Sequence, residues 1–457
     1  MEDPASFRDP SGVVFRRDGV VYRQINRSFE SEWALFGTSG LRDELTRAGL
    51  LVPHERVDDV EPLDDRAALV IRPLQLDFVS YPYEWSFSQL KDAALTTLEI
   101  QERALRSGMS LKDASAYNIQ FVDGRPTLID SLSFEASAPG VPWVAYRQFC
   151  QHFLAPLAVM AYRDVRLGRL QREFADGIPL DLAAALLPGR TRLRPGLGAH
   201  LHLHARAQRR PGHEPSTRAS SARVSDTGRM ALLDSLRRTV EGLSWEPDGT
   251  AWSSYTALTS YSAAAAESKT RIVGEMLARV QGARVWDIGA NTGAYTTIAV
   301  AGGHRVVALD ADAGAVEQLY RKVRAGEIRD VQPLVVDIGN PSPAGGWALR
   351  ERRSLTERGP APVVMALALI HHLAIAANVP LASVSAFLAG IGSDLVIEFV
   401  PKEDTQTQTL LEARRDIFPD YTLEGFKAAF AARFNLLEEA AVADSARTIF
   451  RMRRRDA

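Results

Sequence analysis

The sequence predicts two domains, an α+β domain over residues 1–187 and a doubly wound α/β domain over residues 229–457. Three observations support this prediction. The chain has 457 residues, which is more than one hydrophobic core usually organises. Residues 188–228 are rich in Arg, Pro, Gly and Ser and lack apolar periodicity, so they indicate a linker or a long exposed loop. Beyond them, apolar strand-like runs alternate with amphipathic helices, which is typical of a parallel sheet covered on both faces.

The composition excludes several broad classes of protein. Hydrophobic residues make up 46% and charged residues 24%, as in ordinary globular proteins, and a formal net charge of −2 provides no global positive field for nucleic acid or an anionic membrane. The N-terminus lacks the features of a signal peptide, and no run of about 20 apolar residues occurs. We therefore expect a cytoplasmic protein without a membrane partner, although a local basic patch is compatible with these totals.

The sequence offers no complete metal site. Cys150 is the only cysteine, so a disulfide within the chain and a thiolate cluster are both excluded. His200, His202 and His204 alternate within the predicted linker, but no carboxylate is positioned to complete a coordination shell. We therefore expect a protein without a bound metal.

The predicted N-terminal domain combines hairpins and helices. Apolar and polar residues alternate around Asp18-Gly19 in GVVFRRDGVVYRQIN, which indicates a hairpin. Helical periodicity follows in SEWALFGTSGLRDELTRAGL and in SFSQLKDAALTTLEIQERALRSG, with the strand-like segment AALVIRPLQLDFVSYP between them. A second hairpin turn, Asp123-Gly124, divides YNIQFVDGRPTLID, and the remainder of the domain is predicted to be helical.

In the predicted C-terminal domain, strands and helices alternate. The helix ESKTRIVGEMLARVQG precedes the strand ARVWDIGA, and the helix AYTTIAVAG, the strand RVVALDAD and the helix GAVEQLYRKVRAG follow. Further strands are predicted in VQPLVVDI, PVVMALAL and SDLVIEFV. Parallel strands end at one edge of a sheet, where open α/β sheets bind their ligands.

A glycine-rich turn joins the first of these strands to its helix, and residues 287–293 read DIGANTG. Glycines at such a turn let the backbone approach a ligand closely, and the helix N-terminus offers N–H groups to a carboxylate. Glycine-rich turns of this kind occur in many folds. The dinucleotide fingerprint is absent, because Ala290 and Asn291 break its glycine spacing, and this disfavours NAD as the cofactor.

Two further acidic residues end the next two strands. Asp310 follows the glycine turn by about 20 residues, where a carboxylate can accept hydrogen bonds from a ribose diol. Asp337 ends the following strand at the same edge. We expect both to line the ligand crevice with Asp287. The alternative is that Asp287 and Asp337 only cap neighbouring helices.

With these residues, the C-terminal half resembles the class I S-adenosylmethionine-dependent methyltransferases over about residues 250–457. An acidic residue followed by a G-x-G-x-G-like turn matches the first motif of that family, with Asn291 at the middle glycine. The resemblance implies a Rossmann-like fold and S-adenosyl-L-methionine as the cofactor.

The resemblance also implies which residues contact the cofactor, beginning with the first motif, which runs from Asp287 to Gly293. These residues are Gly289 and Gly293 at the methionine part, Asp310 at the ribose hydroxyls, and Asp337 with Ile338 at the adenine. Tyr255 and Tyr261 precede the first helix of the domain, where family members often place an aromatic side chain against the cofactor. Core packing is the alternative for both tyrosines.

The loop after the fourth strand bears on the methyl acceptor. Family members that methylate exocyclic amines of DNA bases carry N/D-P-P-Y there, whereas residues 365–372 read MALALIHH. His371 and His372 resemble the L-x-H-H motif of small-molecule methyltransferases, and an imidazole can act as a general base near neutral pH. Loop packing is the alternative. Glu398 ends the next strand. We expect it to bind the acceptor or to orient a histidine, and the alternative is a surface carboxylate.

A second pattern occurs in the N-terminal half. Asp113 is followed by Asn118 and, after a predicted hairpin, by Asp130. This order resembles the catalytic loop D-x-x-x-x-N and the following metal-binding Asp of the eukaryotic-type kinase family. The resemblance implies Asp113 as the base and Asn118 and Asp130 as magnesium ligands.

The departures from the kinase family disfavour phosphoryl transfer. The H-R before the catalytic Asp is replaced by Leu111-Lys112, D-F-G becomes D-S-L, and no glycine-rich loop precedes the first hairpin. Arg23 occupies the place of the strand lysine, and arginine is a poor replacement for a phosphate-binding lysine. We expect a degenerate kinase-like domain that binds a substrate or a partner.

These patterns leave three functions to compare. The first is a methyltransferase whose N-terminal domain selects a small-molecule or other non-DNA acceptor. The second is a non-catalytic interaction protein with two degenerate domains, which the intact set of glycines and acidic residues disfavours. The third is a bifunctional kinase–methyltransferase, which the missing glycine loop disfavours. The sequence leaves open the acceptor, the atom methylated and the oligomeric state.

Overall fold

The protein is described by a computed structural model that covers residues 2–208, 223–247, 262–280, 284–412 and 415–455. The chain divides into two compact units. The N-terminal unit comprises Met1–Glu246 and Gly345–Arg352, and the C-terminal unit comprises Pro247–Ala344 and Arg353–Ala457.

The first sheet of the N-terminal unit has four antiparallel strands in the order β1-β2-β4-β3. They are β1 Gly12–Arg17, β2 Val20–Asn26, β3 His54–Val57 and β4 Ala67–Pro73, and the helices α1 Glu30–Thr38 and α2 Leu41–Arg47 connect β2 to β3. Two short antiparallel pairs follow, formed by β5 Met109–Leu111 with β8 Phe134–Ala136 and by β6 Ile119–Val122 with β7 Arg125–Leu128. Both predicted hairpins are present, with φ of +52° at Asp18 and +48° at Asp123.

The long helix α3, Phe87–Arg106, starts at a capping box. The Ser86 hydroxyl accepts the Gln89 N–H, and the Gln89 side chain accepts the Ser86 N–H at 2.9 Å. The remaining helices of this unit are α4 Tyr146–Phe149, α5 Ala155–Tyr162, α6 Leu170–Glu173, α7 Leu180–Leu186, α8 Pro195–Leu197, α9 His204–Gln208 and α10 Asp226–Glu241. A π-helical segment, Cys150–Leu154, joins α4 to α5.

The structure differs from the predicted linker at residues 188–208, which form short helices. Leu197 and Leu201 are buried at helical spacing, and the ring nitrogens of His200 and His204 both hydrogen-bond the Tyr146 hydroxyl, at 2.9 and 3.1 Å. The composition concealed this face, because Arg, Pro and Gly surround its few apolar residues. Residues 209–222 of the predicted linker lie outside the described residues.

The unit boundary also lies further along the chain than predicted, because α10 packs against α3. Leu236 and Val240 bury the apolar face of α10, and the Lys91 ammonium of α3 donates to the Glu241 and Leu243 carbonyl oxygens at 2.8 and 2.7 Å. Lysine at a helix C-terminus satisfies carbonyl groups that have no partner within the helix.

The C-terminal unit contains a seven-stranded sheet in the order β11-β10-β9-β12-β13-β15-β14. Its strands are β9 Arg284–Ile288, β10 Arg305–Asp310, β11 Val331–Val335, β12 Ala361–Ala366, β13 Gly392–Phe399, β14 Phe434–Ala441 and β15 Thr448–Arg454. Its helices are α11 Ala263–Leu277, α12 Ala294–Ala301, α13 Ala313–Arg324, α14 Leu381–Ile391, α15 Thr405–Glu412 and α16 Leu423–Ala431.

The first five strands of this sheet are parallel and β15 is antiparallel to both of its neighbours. The prediction of a doubly wound, Rossmann-like C-terminal domain is therefore confirmed. After β11 the chain crosses to β12 on the other side of β9, so the strand order reverses between β9 and β12. Open α/β sheets bind ligands at this point, outside the carboxyl ends of the strands.

The core of the C-terminal unit lies on the sheet, where the strands are apolar on both faces. Val285 of β9, Val363 of β12 and Val396 of β13 are fully buried. Within the described residues, no helix combines the length and the apolar character needed to cross a bilayer.

Candidate active site

The glycine turn between β9 and α12 requires a left-handed backbone at three positions. The φ angle is +80° at Gly289, +51° at Asn291 and +87° at Gly293. Glycine adopts this region freely, and asparagine does so more readily than other residues. A Cβ atom at Gly293 would also lie 2.5 Å from Leu319 Cδ1 of α13. The turn therefore requires a glycine at 293, and asparagine satisfies the middle position.

Asp310 connects the end of β10 directly to this turn. Its Oδ2 accepts the backbone N–H of Asn291 at 2.7 Å, and its Oδ1 accepts the backbone N–H of Asp312 at 2.8 Å. Burial raises the pKa of Asp310 above its ordinary value. A carboxylate has about four lone-pair sites, so both oxygens can accept further hydrogen bonds. The carboxylate is thus oriented by backbone donors and retains acceptor capacity for a diol.

Asp287 lies beneath the turn, with only 2% of its surface exposed. Its Oδ2 accepts the hydroxyl hydrogen of Thr296 at 2.6 Å, and burial raises the pKa of Asp287 to about 7. Because Thr296 belongs to α12, this hydrogen bond holds the start of α12 against β9. Gly293 is the N-cap of α12, so Asp287 does not cap that helix.

Asp337 and Ile338 follow β11 and are both partly buried. The Asp337 carboxylate accepts the N–H of Gly339 at 2.8 Å, which closes a local turn. The backbone N–H of Val336 donates to the Asp310 carbonyl oxygen at 2.8 Å. The ends of β10 and β11 therefore lie side by side, and the sheet brings Asp310 and Asp337 to one edge as the sequence predicts.

The loop after β12 borders the glycine turn at the point where the strand order reverses. A Cβ atom at Gly289 would lie 3.4 Å from Leu369 Cδ1, which is an ordinary van der Waals contact. The same loop contains Ala368 in the left-handed region, with a φ of +50°. This contact brings the loop that carries His371 and His372 next to the predicted cofactor turn.

The two histidines differ in exposure. His371 is fully buried, and among the described residues neither of its ring nitrogens has a hydrogen-bond partner, whereas His372 is only partly buried. Their ring centroids are 4.1 Å apart. Burial holds the pKa of both imidazoles below the ordinary value, and the positive charge of Arg447 lowers the pKa further. Both rings are therefore neutral near pH 7.

Glu398, at the end of β13, is not on the surface. It is fully buried and belongs to an ion pair. Its Oε2 lies 2.6 Å from the Lys269 ammonium of α11, and its Oε1 lies 3.8 Å from the Arg447 guanidinium. Arg447 is 1% exposed and also pairs with Asp404 at 2.7 Å. The Lys269 ammonium lies 4.5 Å from the ring centroid of Tyr295 in α12. The predicted surface alternative for Glu398 is therefore wrong, because two buried cations enclose its carboxylate.

Sequence reasoning missed Lys269, although its position within the apolar pattern of α11 could have identified it as a buried charge. Lys269 lies three, four and seven residues before Ile272, Val273 and Met276, so it lies on the buried face of α11. A lysine on the apolar face of a helix requires a partner. Arg447 offers no comparable signal, because it precedes β15 in an irregular loop. Tyr255 and Tyr261 lie outside the described residues.

The second predicted cluster, in the N-terminal unit, also assembles. Asp113 accepts a hydrogen bond from the Asn118 side chain, and burial raises the pKa of Asp113. Asn118 also donates to the Ser133 hydroxyl at 3.2 Å, and that hydroxyl donates to Asp130 Oδ2 at 2.7 Å. Asp130 Oδ1 lies 2.6 Å from the Arg23 guanidinium of β2. The predicted magnesium ligand is thus neutralised by the arginine that replaces the strand lysine.

Comparison with known proteins gives one relative over nearly the whole chain. No protein-family model matches the sequence. The chain is 34% identical over 467 residues to the nodulation protein NoeA of Rhizobium meliloti (strain 1021), an alignment that covers 98% of this chain and 95% of that protein.

Two solved methyltransferase structures are similar to part of the chain. The N-methyltransferase NodS from Bradyrhizobium japonicum WM9 aligns with 42% of this chain and 97% of its own, at 12% identity and a TM-score of 0.32. The magnesium protoporphyrin IX methyltransferase from Synechocystis PCC 6803 aligns with 42% of this chain and 85% of its own, at 16% identity and a TM-score of 0.31.

Proposed function

The chain belongs to the family of the nodulation protein NoeA, and we propose that its C-terminal unit transfers a methyl group from S-adenosylmethionine to a small-molecule or other non-DNA acceptor. The observation that carries this proposal is the hydrogen bond from the Asn291 N–H to Asp310. It joins the glycine turn to an oriented carboxylate at the carboxyl edge of a doubly wound sheet, close to the point where the strand order reverses.

The residues around the turn fit S-adenosylmethionine. The Asp310 oxygens retain acceptor sites for the two ribose hydroxyls, and Asp337 with Ile338 lies beside them for the adenine. The first turn of α12 begins at Ala294, directly after Gly293, and a helix N-terminus favours a carboxylate such as that of the methionine part. When bound, S-adenosylmethionine supplies an electrophilic methyl group on a sulfonium.

His372 is the group of this site that is suited to take a proton from the acceptor. Of the three predicted catalytic side chains, His371 and Glu398 are fully buried and only His372 reaches the surface. The lowered pKa of His372 keeps its imidazole neutral, and a neutral imidazole can act as a general base. His371 packs behind it and fixes the ring position.

The buried charges of Lys269, Arg447 and Glu398 hold the surrounding elements of the site in place. Lys269 and Arg447 enclose Glu398, so buried ion pairs connect α11, β13 and the loop before β15. A rigid arrangement of this kind benefits methyl transfer, because the reaction depends mainly on in-line placement of donor and acceptor. In this proposal Glu398 contacts no substrate.

For the N-terminal unit, we propose a degenerate kinase-like domain that binds the acceptor or a partner. The Arg23–Asp130 ion pair supports this role over phosphoryl transfer. A magnesium ion at Asp130 would have to displace a guanidinium that already lies 2.6 Å from the carboxylate. The bifunctional alternative is disfavoured for this reason as well as by the missing glycine loop.

Calorimetric titration of the full chain with S-adenosylmethionine and S-adenosylhomocysteine tests the proposed function. We expect both ligands to bind with a dissociation constant tighter than about 1 mM, equivalent to about 4 kcal/mol. Titration with NAD is the matched control, because NAD offers ribose diols but requires the glycine spacing that this chain lacks. Binding of NAD without either sulfur ligand would overturn the proposal.

A further inference from the structure

Helix α13 borders the glycine turn through two side chains on one helical face. Leu319 lies so close to Gly293 that a Cβ atom there would be 2.5 Å from Leu319 Cδ1. Lys322 follows Leu319 by three residues, which places both side chains on the same face of α13. The Lys322 ammonium donates a hydrogen bond to the Thr292 carbonyl oxygen at 3.1 Å. The lysine and the leucine therefore contact consecutive residues of the turn.

The Thr292 carbonyl group lies just before the hydrogen-bond ladder of α12. Gly293 is the N-cap of this helix, and its carbonyl oxygen accepts the Thr297 N–H at 3.0 Å, so the ladder begins one residue after Thr292. Thr292 is buried, and a buried carbonyl oxygen without a hydrogen-bond donor costs free energy. Lys322 supplies a charged donor at this position, and a charged donor forms a stronger hydrogen bond than a neutral one.

The start of α13 is attached to the carboxylate at the end of β10. Asp312 caps the helix, since its Oδ1 accepts the N–H groups of Gly314 and Ala315 at 2.7 and 3.3 Å. The Asp312 N–H in turn donates to Asp310 Oδ1 at 2.8 Å. The helix therefore contacts Asp310 at its beginning and the glycine turn, through Lys322, near its end.

The glycine turn has a backbone conformation that requires support from its surroundings. Asn291 has a φ of +51°, in a region that costs free energy for a residue other than glycine. Asp310 accepts the Asn291 N–H at 2.7 Å, so a hydrogen bond holds the turn on the side of β10. The two residues that follow Asn291 contact α13. The strand and the helix therefore hold successive residues of the turn.

We propose that Lys322 is a positioning residue for the cofactor, because it holds the glycine turn in the conformation that receives the methionine part of S-adenosylmethionine. This role rests on the proposed binding of that cofactor at the turn. Lys322 acts through the Thr292 carbonyl group and contacts no substrate. A turn that is already held in its bound conformation loses little conformational freedom when the ligand binds, so the affinity for the cofactor is higher.

Calorimetric titration of the full chain with S-adenosylhomocysteine tests this proposal. Lys322→Met retains an unbranched side chain without the ammonium, and it should weaken binding about 10-fold, as expected for the loss of a hydrogen bond from a charged donor. Lys322→Arg should restore most of the affinity, because a guanidinium can donate to the same carbonyl oxygen. Lys427→Met is the matched control, because the Lys427 ammonium pairs at 2.8 Å with Glu439 of β14, at the other edge of the sheet.

Hydrogen exchange measures the stability of the turn without any ligand. The backbone N–H groups of Asn291, Thr292 and Gly293 all donate hydrogen bonds, so their exchange reports local opening. In Lys322→Met these amides should exchange about 10-fold faster than in the unsubstituted protein, because the turn opens more often. Exchange in β13 and the urea midpoint should stay unchanged, since the sheet does not depend on this hydrogen bond.

The possible results separate the role of Lys322 from the function on which it rests. Equal affinity of Lys322→Met and the unsubstituted protein for S-adenosylhomocysteine would overturn the positioning role alone. Weaker binding together with faster exchange in β13 would show a general loss of stability and would overturn it as well. If the unsubstituted protein did not bind S-adenosylhomocysteine, the proposed function would fail and the role of Lys322 would fail with it.

Discussion

Asp310 in the C-terminal unit and Asp130 in the N-terminal unit follow similar sequence patterns, but their partners differ. Each is an acidic residue at or just after a β-strand, and each resembles a ligand-binding position of a known family. Asp310 accepts hydrogen bonds from the backbone of Asn291 and Asp312. Asp130 is paired with the guanidinium of Arg23. Backbone donors orient a carboxylate and leave its charge available to a ligand, whereas a cation compensates that charge.

A third acid extends the comparison to burial. Glu398 is paired with Lys269, as Asp130 is with Arg23, but the Glu398 side chain is 0% exposed and the Asp130 side chain is 15% exposed. An unpaired charge in a dry interior costs far more free energy than one in contact with water. Loss of the cation from the buried pair should therefore cost more free energy of unfolding than loss of the cation from the partly exposed pair.

The largest expected effect is on stability. Lys269→Met should lower the free energy of unfolding of the C-terminal unit by about 3–5 kcal/mol, because it leaves Glu398 buried without its nearest cation. Arg23→Met should cost the N-terminal unit less, since water reaches Asp130. Urea denaturation followed by hydrogen exchange in β13 and β2 measures the two effects separately. Equal losses would contradict the comparison, and the double variant Lys269→Met with Glu398→Leu should recover most of the stability.

The next effect is on methyl transfer. His372→Gln should reduce transfer of label from methyl-tritiated S-adenosylmethionine into a small-molecule extract of the source cells about 100-fold, because the proton acceptor is lost. His304→Gln is the control, since His304 precedes β10 at the opposite edge of the sheet. An equal loss in both variants would indicate a folding defect and contradict the catalytic role.

The same histidine predicts a pH dependence. Burial lowers the pKa of His372, so its imidazole stays neutral to a lower pH than that of an ordinary histidine, whose pKa is about 6.5. The transfer rate should therefore fall on acidification only at a pH lower than the value of about 6.5 at which an ordinary histidine is half-protonated. A rate that already halves at about pH 6.5 would show that His372 titrates as a solvated histidine.

A smaller effect is expected on cofactor affinity. Asp310→Asn should weaken S-adenosylhomocysteine binding about 10-fold, because a charged acceptor of the ribose hydroxyls becomes neutral and one acceptor oxygen is lost. Asp330→Asn is the matched control, because Asp330 lies at the amino end of β11 with a φ of +58°, which asparagine tolerates. Calorimetry that shows equal affinities would remove Asp310 from the site.

The smallest effect is expected in the N-terminal unit. Because Arg23 compensates Asp130, titration with ATP and magnesium should produce no binding tighter than about 1 mM. Tight binding that Asp130→Asn abolishes would show that the ion pair opens for a nucleotide, and it would revive the bifunctional alternative.

Much of the C-terminal fold was predictable because its signals are local. Gly293 indicates a left-handed turn. Asp310 and Asp337 end apolar strands, and the carboxyl ends of parallel strands lie at one edge of the sheet. The burial of Glu398 was not predictable in the same way. Lys269 and Arg447, which surround it, are 129 and 49 residues away along the chain, and no local pattern reports such pairings.

The N-terminal unit shows the same division. The turns at Asp18 and Asp123 are visible in the sequence because Asp-Gly favours a tight hairpin. The N-terminal unit extends to Glu246 because α10 packs against α3. The sequence did not indicate this boundary, because the composition of the preceding segment is typical of a linker.

The sequence by itself determined the alternation of strands and helices, the glycine turn, and the acidic residues at successive strand ends, because each depends on neighbouring residues and on the period of the backbone. Only the tertiary structure decided which acids are available to a ligand. Asp310 contacts backbone donors, whereas Asp130 and Glu398 contact cations. The state of a carboxylate depends on the charges and the water around it, and those neighbours come from distant parts of the chain.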